Sequence, residues 1–157
     1  MIMLAVAALA GCGSQPIDYA AKAQPGMTRE RAVSVVEQVF YEDFSKKRPQ
    51  YVEVTDEFIL LSDGTISKSS GFATAAPIGN GAIAAGNSTT VTKAMGQRIY
   101  FRSLGTTTIH KTRGREGRYT VVIRSVDGSG LRNVHMRTQA TAEQFIDAVQ
   151  FLKTISR

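Results

Sequence analysis

The sequence predicts an α+β domain: a strongly bent antiparallel sheet or small barrel, with an N-terminal helix and a C-terminal capping helix. Three observations predict it. Apolar residues recur at helical spacing in 28–44 and again in 141–155. Between them the chain alternates with a period of two, and its β-branched runs are separated by Gly-containing turns. The last helix carries one apolar stripe, suited to covering a sheet face. A sheet with one apolar face must curl, pair or pack on helices. An open sheet with both helices on one face is therefore the rival architecture.

Thr28 is placed as the N-cap of the first helix. Ala32, Val33, Val36, Val39, Phe40 and Phe44 fill one face, and Ser34, Glu37, Gln38, Tyr41 and Glu42 the other. Lys46-Lys47-Arg48-Pro49 ends the helix, with cations near its C-terminus and a proline beyond. Tyr51-Val52-Glu53-Val54-Thr55 alternates as a strand, and Phe58-Ile59-Leu60-Leu61 continues as a mostly buried run. Ser62-Asp63-Gly64-Thr65 has Asp-Gly at its centre, which favours a two-residue hairpin with 66–70 as the return strand. Residues 71–95 are rich in glycine and small residues and show no clear period. They are expected as a long loop or weak hairpin, and as one candidate binding segment. Gly79-x-Gly81 lacks the Gly-Lys-Ser/Thr ending of a phosphate loop.

Further strands are expected at 98–102, 106–112, 118–126 and 131–137, with a turn or bulge at Leu104-Gly105 and turns at 114–117 and 127–130. Thr141 and Gln144 fit a capping box. Phe145, Ala148, Val149, Leu152 and Ile155 form the stripe of the last helix, and Lys153 and Arg157 complement its dipole.

The N-terminus differs in character. Residues 1–10 are apolar, and Leu9-Ala10-Gly11-Cys12 sets small residues before the only cysteine. This resembles the bacterial lipobox. The resemblance implies a signal peptide over 1–11 and a lipidated Cys12 as the first mature residue, holding the protein in a membrane through covalent palmitate-type lipid. The basic n-region of such a leader is missing, and an upstream start codon would supply it. Gly13, where Asp would favour inner-membrane retention, implies the outer membrane facing the periplasm in a Gram-negative cell. The apolar run is well short of the roughly 20 residues that span a bilayer. Residues 12–26, with Pro16, Pro25 and Gly26, are expected as lipidated cysteine and unfolded tether. Residues 27–157 then form a single domain. Lipidation of Cys12 leaves no thiol for disulfide, metal or redox chemistry.

The net charge of +6 is concentrated: residues 98–137 hold nine basic residues against Glu116 and Asp127. Lys111, Arg113, Arg115 and Arg118 cluster at one hairpin tip and form the candidate anionic-ligand patch. An anionic lipid or polymer suits it, and an envelope location argues against nucleic acid. Arg98-Ile99-Tyr100-Phe101-Arg102, the Asp127-Gly128 hairpin and Phe145-Ile146-x-Ala148-Val149-x-Phe151-Leu152 give residues 98–155 a resemblance to the pleckstrin-homology-like superfold. There a bent sheet closes into a barrel plugged by a final helix. The resemblance implies a binding or scaffolding module that usually lacks catalytic residues, and whose basic hairpins sometimes take phosphorylated lipid headgroups.

Chemistry-bearing motifs are sparse. His110 and His135 fall in expected strands, apart from any spacing that would set metal ligands on one helix face. Gly128-Ser129-Gly130 is too short for a nucleophile elbow. Glu42-Asp43 and Asp56-Glu57 are adjacent in sequence, so their carboxylates diverge. No cofactor or metal is expected. The expected protein is a membrane-anchored envelope lipoprotein with a non-catalytic binding domain. The alternatives are a protein-docking component of an envelope assembly, or a small hydrolase. A hydrolase would gather His110 or His135 with an acid and a nucleophile in one cleft.

Overall fold

The computed structural model describes residues 13–62, 67–72, 87–92 and 96–156, the two short central segments through their backbone pairing. The elements run β1 (Ser14–Ile17), α1 (Arg29–Tyr41), β2 (Tyr51–Val54), β3 (Phe58–Ser62), β4 (Ser67–Phe72), β5 (Asn87–Thr92), β6 (Gln97–Tyr100), a 3-10 turn (Phe101–Ser103), β7 (Leu104–Thr112), β8 (Tyr119–Ser125), β9 (Gly130–Met136) and α2 (Gln139–Ile155). The strands form three antiparallel sets, ordered β1-β7-β8-β9, β2-β3-β6 and β4-β5. The domain is α+β with a helix at each end of the order.

The helices, rather than closure of the sheet, bury the apolar faces. α1 and α2 pack on each other; α2 also lies on β7, β8 and β9, and α1 on β2 and β9. Phe40 meets Phe145 edge to face at 5.6 Å, an arrangement worth about 0.5–1.5 kcal/mol beyond area burial. Around that pair, Ile59, Leu61, Ile99, Ile109, Val121, Ile123 and Val134 join one core. The barrel expectation is therefore corrected: among the described residues the sheets are not closed into a barrel, because two helices already cover what closure would bury. Gln97 links the two larger sheets by donating from Nε2 to the Leu131 carbonyl at 2.7 Å.

Local rules account for most boundaries. Thr28 caps α1, its hydroxyl accepting from Arg31 N at 3.2 Å. Ala32, Val36, Val39 and Phe40 are its buried face. The helix stops at Tyr41, before Phe44 and before the Lys46–Arg48 cations expected near its end. Asp43 turns inward there and accepts from Ser45 N at 2.8 Å, a local turn that competes with helix continuation. α2 begins three residues earlier than the Thr141–Gln144 box suggests. Thr138 is the cap, accepting from Thr141 N at 3.1 Å. Ile155, expected in the apolar stripe, is exposed. The register shift between Leu104 and Thr107 is the bulge expected at Leu104-Gly105.

The return strand after β3 is also corrected. Both edges of β3 are occupied, by β2 and by β6, so β4 pairs with β5 instead. The Asp63-Gly64 turn lies outside the described residues, as do 73–86 and 93–95 of the expected loop.

The segment expected as a free tether is docked. β1 pairs with the outer edge of β7, from Ser14 opposite Thr112 through Pro16 opposite His110 to Ile17 opposite Ile109. Beyond it, three groups converge on Asp147, a carboxylate only 3% exposed on α2. The Tyr19 hydroxyl donates to its two oxygens at 2.9 and 3.0 Å, Lys22 N at 2.7 Å and Gln24 Nε2 at 2.7 Å. Proline and small polar residues cannot nucleate structure alone, but a sheet edge and a buried acceptor supply the partners.

Asp147→Ala is expected to cost about 2 kcal/mol, since each hydrogen bond to an ionised acceptor contributes about 1.5–3 kcal/mol and water recovers part of it. Amide-exchange protection across 14–24 should fall while that of α2 persists. Unchanged protection in 14–24 would refute the latch. Burial, then the hydrogen bond to Asp147 and its negative charge, push the Tyr19 hydroxyl up to about 12. Its folded pKa lies above the unfolded value of about 10, so its stabilising contribution is complete below pH 10. That contribution disappears as pH rises from about 10 to about 12. In an absorbance titration one of the five tyrosines should ionise near 12, and Asp147→Ala should bring it down.

Candidate functional site

The β7–β8 hairpin carries all four candidate cations. Lys111 sits near the end of β7, Arg113 and Arg115 on the tip, and Arg118 at the return to β8; all four are exposed. The tip turns on Gly114 and Gly117, whose φ values of 71° and 65° suit glycine. Thr112 N closes it by donating to the Arg118 carbonyl at 3.0 Å. Arg113 N donates to the Gly13 carbonyl at 3.2 Å, which ties the start of the described chain to the tip.

Aromatic rings, not carboxylates, lie against two of the four cations. The Lys111 ammonium lies 6.0 Å from the Tyr119 ring centre. The Arg118 and Arg137 guanidinium groups lie 5.7 and 5.5 Å from the Phe44 ring centre. Among the described residues none of the four hairpin cations forms an ion pair with an acid. Their charge thus remains available to an anionic ligand.

Phe44 and Arg137 were not candidates from the sequence. The sequence places Phe44 in the stripe of a longer helix, and only the helix stop at Tyr41 frees it to sit beside cations that flank β8 and β9. Its ring also meets His135 at 5.7 Å.

The His110 ring bonds Thr108 Oγ1, at 3.0 Å. His135 is less isolated. Its Nδ1 lies 3.5 Å from Oδ1 of Asp43, whose side chain is fully buried. Asp43 Oδ2 and His135 Nδ1 are buried without hydrogen-bond partners. Ser45 and His135 line one cleft of about 590 Å³ together with Lys47 and Asn133. However, Ser45 Oγ accepts from Lys47 N at 3.3 Å and makes no hydrogen bond to the imidazole. An acid beside a histidine is present, but among the described residues no nucleophile is coupled to it.

Among the described residues no group of three or more His, Cys, Asp or Glu side chains could hold a metal ion. None of the described helices is long and apolar enough to cross a membrane. Cys12 lies outside the described residues. No known protein family, curated protein or solved structure matches the chain.

The shared Phe44 face predicts a measurable coupling. In a urea-unfolding double-mutant cycle, Phe44→Leu and Arg118→Met should show about 0.5–1 kcal/mol of interaction, since each keeps apolar bulk while removing one stacking partner. Additive effects would show that Arg118 does not rest on the ring.

Proposed function

We propose that this chain is a lipid-anchored lipoprotein of the cell envelope whose folded domain is a non-catalytic module for an anionic partner. The observation that carries the binding reading is the hairpin of four exposed cations without a carboxylate partner among the described residues. Exposed cations usually sit near opposite charges, and ones held on rings keep their net field. The lipobox-like Leu9-Ala10-Gly11-Cys12 supports the anchor. Several acyl chains make such anchoring stable where one does not.

Metabolic labelling with palmitate tests the anchor. The wild-type chain should take up label and sediment with membranes, and Cys12→Ala should do neither; label in that variant would remove the lipoprotein reading. Purification from detergent-solubilised membranes tests the module. Combined Arg113→Glu, Arg115→Glu and Arg118→Glu should abolish salt-sensitive retention of acidic envelope material. A protein partner that stays bound after this reversal would favour a docking component of an envelope assembly instead.

A further inference from the structure

Resting on the lipid-anchored reading, we infer that the β7–β8 hairpin tip is a docking surface for anionic headgroups of the bilayer that holds Cys12. The junction between anchor and fold carries this. Gly13, bonded covalently to Cys12, gives its carbonyl to Arg113 N at 3.2 Å, and Ser14 pairs with Thr112. A trans peptide spans about 3.8 Å between α-carbons. A free 13–26 tether would instead allow excursions of roughly 20 Å. With β1 paired, that leash is gone, and the lipid on Cys12 brings the bilayer to the tip end of the sheet.

Charge selects the same end. Lys111, Arg113, Arg115 and Arg118, joined through Phe44 by Arg137, are opposed on the hairpin by Glu116 alone. The far end is marked by Phe101 N donating to the Glu57 carbonyl and Val126 N to the Ser103 carbonyl. There Asp56, Glu57 and Asp127 balance Arg29, Arg102 and Arg124. Arg29 pairs with Asp56 at 2.6 Å. The potential of an anionic leaflet decays within a Debye length of about 8–10 Å. A cation acts on it only if held close, and the anchor's position holds these ones close. That placement favours the bilayer over a soluble polyanion, which the anchor does not hold near the tip.

The test uses the mature protein purified from membranes, carrying either Glu116→Cys at the tip or Val126→Cys at the far end, where Val126 is 73% exposed. Each variant is reconstituted into phosphatidylcholine vesicles with or without phosphatidylglycerol and exposed to a bulky neutral maleimide. Labelling at position 116 should slow at least about fivefold in the anionic vesicles, in line with the pull on each surface-held cation. Labelling at position 126 should not change. High salt, or the Arg113, Arg115 and Arg118 reversal to Glu, should abolish the protection. Equal labelling at 116 in both vesicle types would overturn the docking surface, as would protection conferred only by added soluble polyphosphate. Mass spectrometry of the peptide containing Cys12 separates the two levels. An unacylated cysteine overturns the anchor itself, whereas acylated protein with an unprotected tip overturns only the docking.

Discussion

The carboxylate of Asp147 is the constraint on which the docking of residues 14–24 depends. An ionised group taken from water is tolerated only when donors replace its hydration. Among the described residues no cation does so; a tyrosine hydroxyl, a backbone amide and a glutamine side chain do, all from residues 19–24. The dependence runs both ways. Without the strap the acid would be poorly solvated against Ile146 and Ala148, and without the acid the strap would hold only through four residues of edge pairing. The strap also packs Ile17 and Tyr19 on the core.

From that latch the arrangement of the basic hairpin follows. β1 fixes the first described residue beside Arg113, and α1 ends where Phe44 can reach Arg118 and Arg137. Two elements remote in sequence thereby shape one surface, one through the backbone and the other through a ring. The Asp43–His135 contact lies behind the same ring, so the helix stop that frees Phe44 also buries Asp43.

Period and propensity made the helices and the long strands legible. Phe145, Ala148, Val149 and Leu152 recur on one face, and Tyr119 to Ser125 is β-branched and apolar enough to be a central strand. The clustering of Lys111, Arg113, Arg115 and Arg118 was legible for the same reason: neighbours in a hairpin are neighbours in sequence. What stayed hidden depends on distant partners. Asp147 lies outside the apolar stripe of the last helix, and its donors are more than 120 positions away. Residues 14–24 read as a leash because their composition reports only what they cannot do alone. The Asp63-Gly64 signal is local and carried no information that β6 would occupy the second edge of β3. Phe44 stayed hidden because helical spacing continues through it, whereas the inward turn of Asp43 ends the helix first.

Pro16 gives the outer strand a further consequence. A sheet that ends in exposed backbone donors and acceptors is a template on which another chain can add a strand. β1 is that last strand of the β1-β7-β8-β9 sheet, only four residues long, with Pro16 opposite His110. Short length and a proline are both devices that blunt such an edge. The strap therefore blunts this edge of the sheet against growth from copy to copy, a safeguard whose value rises with crowding.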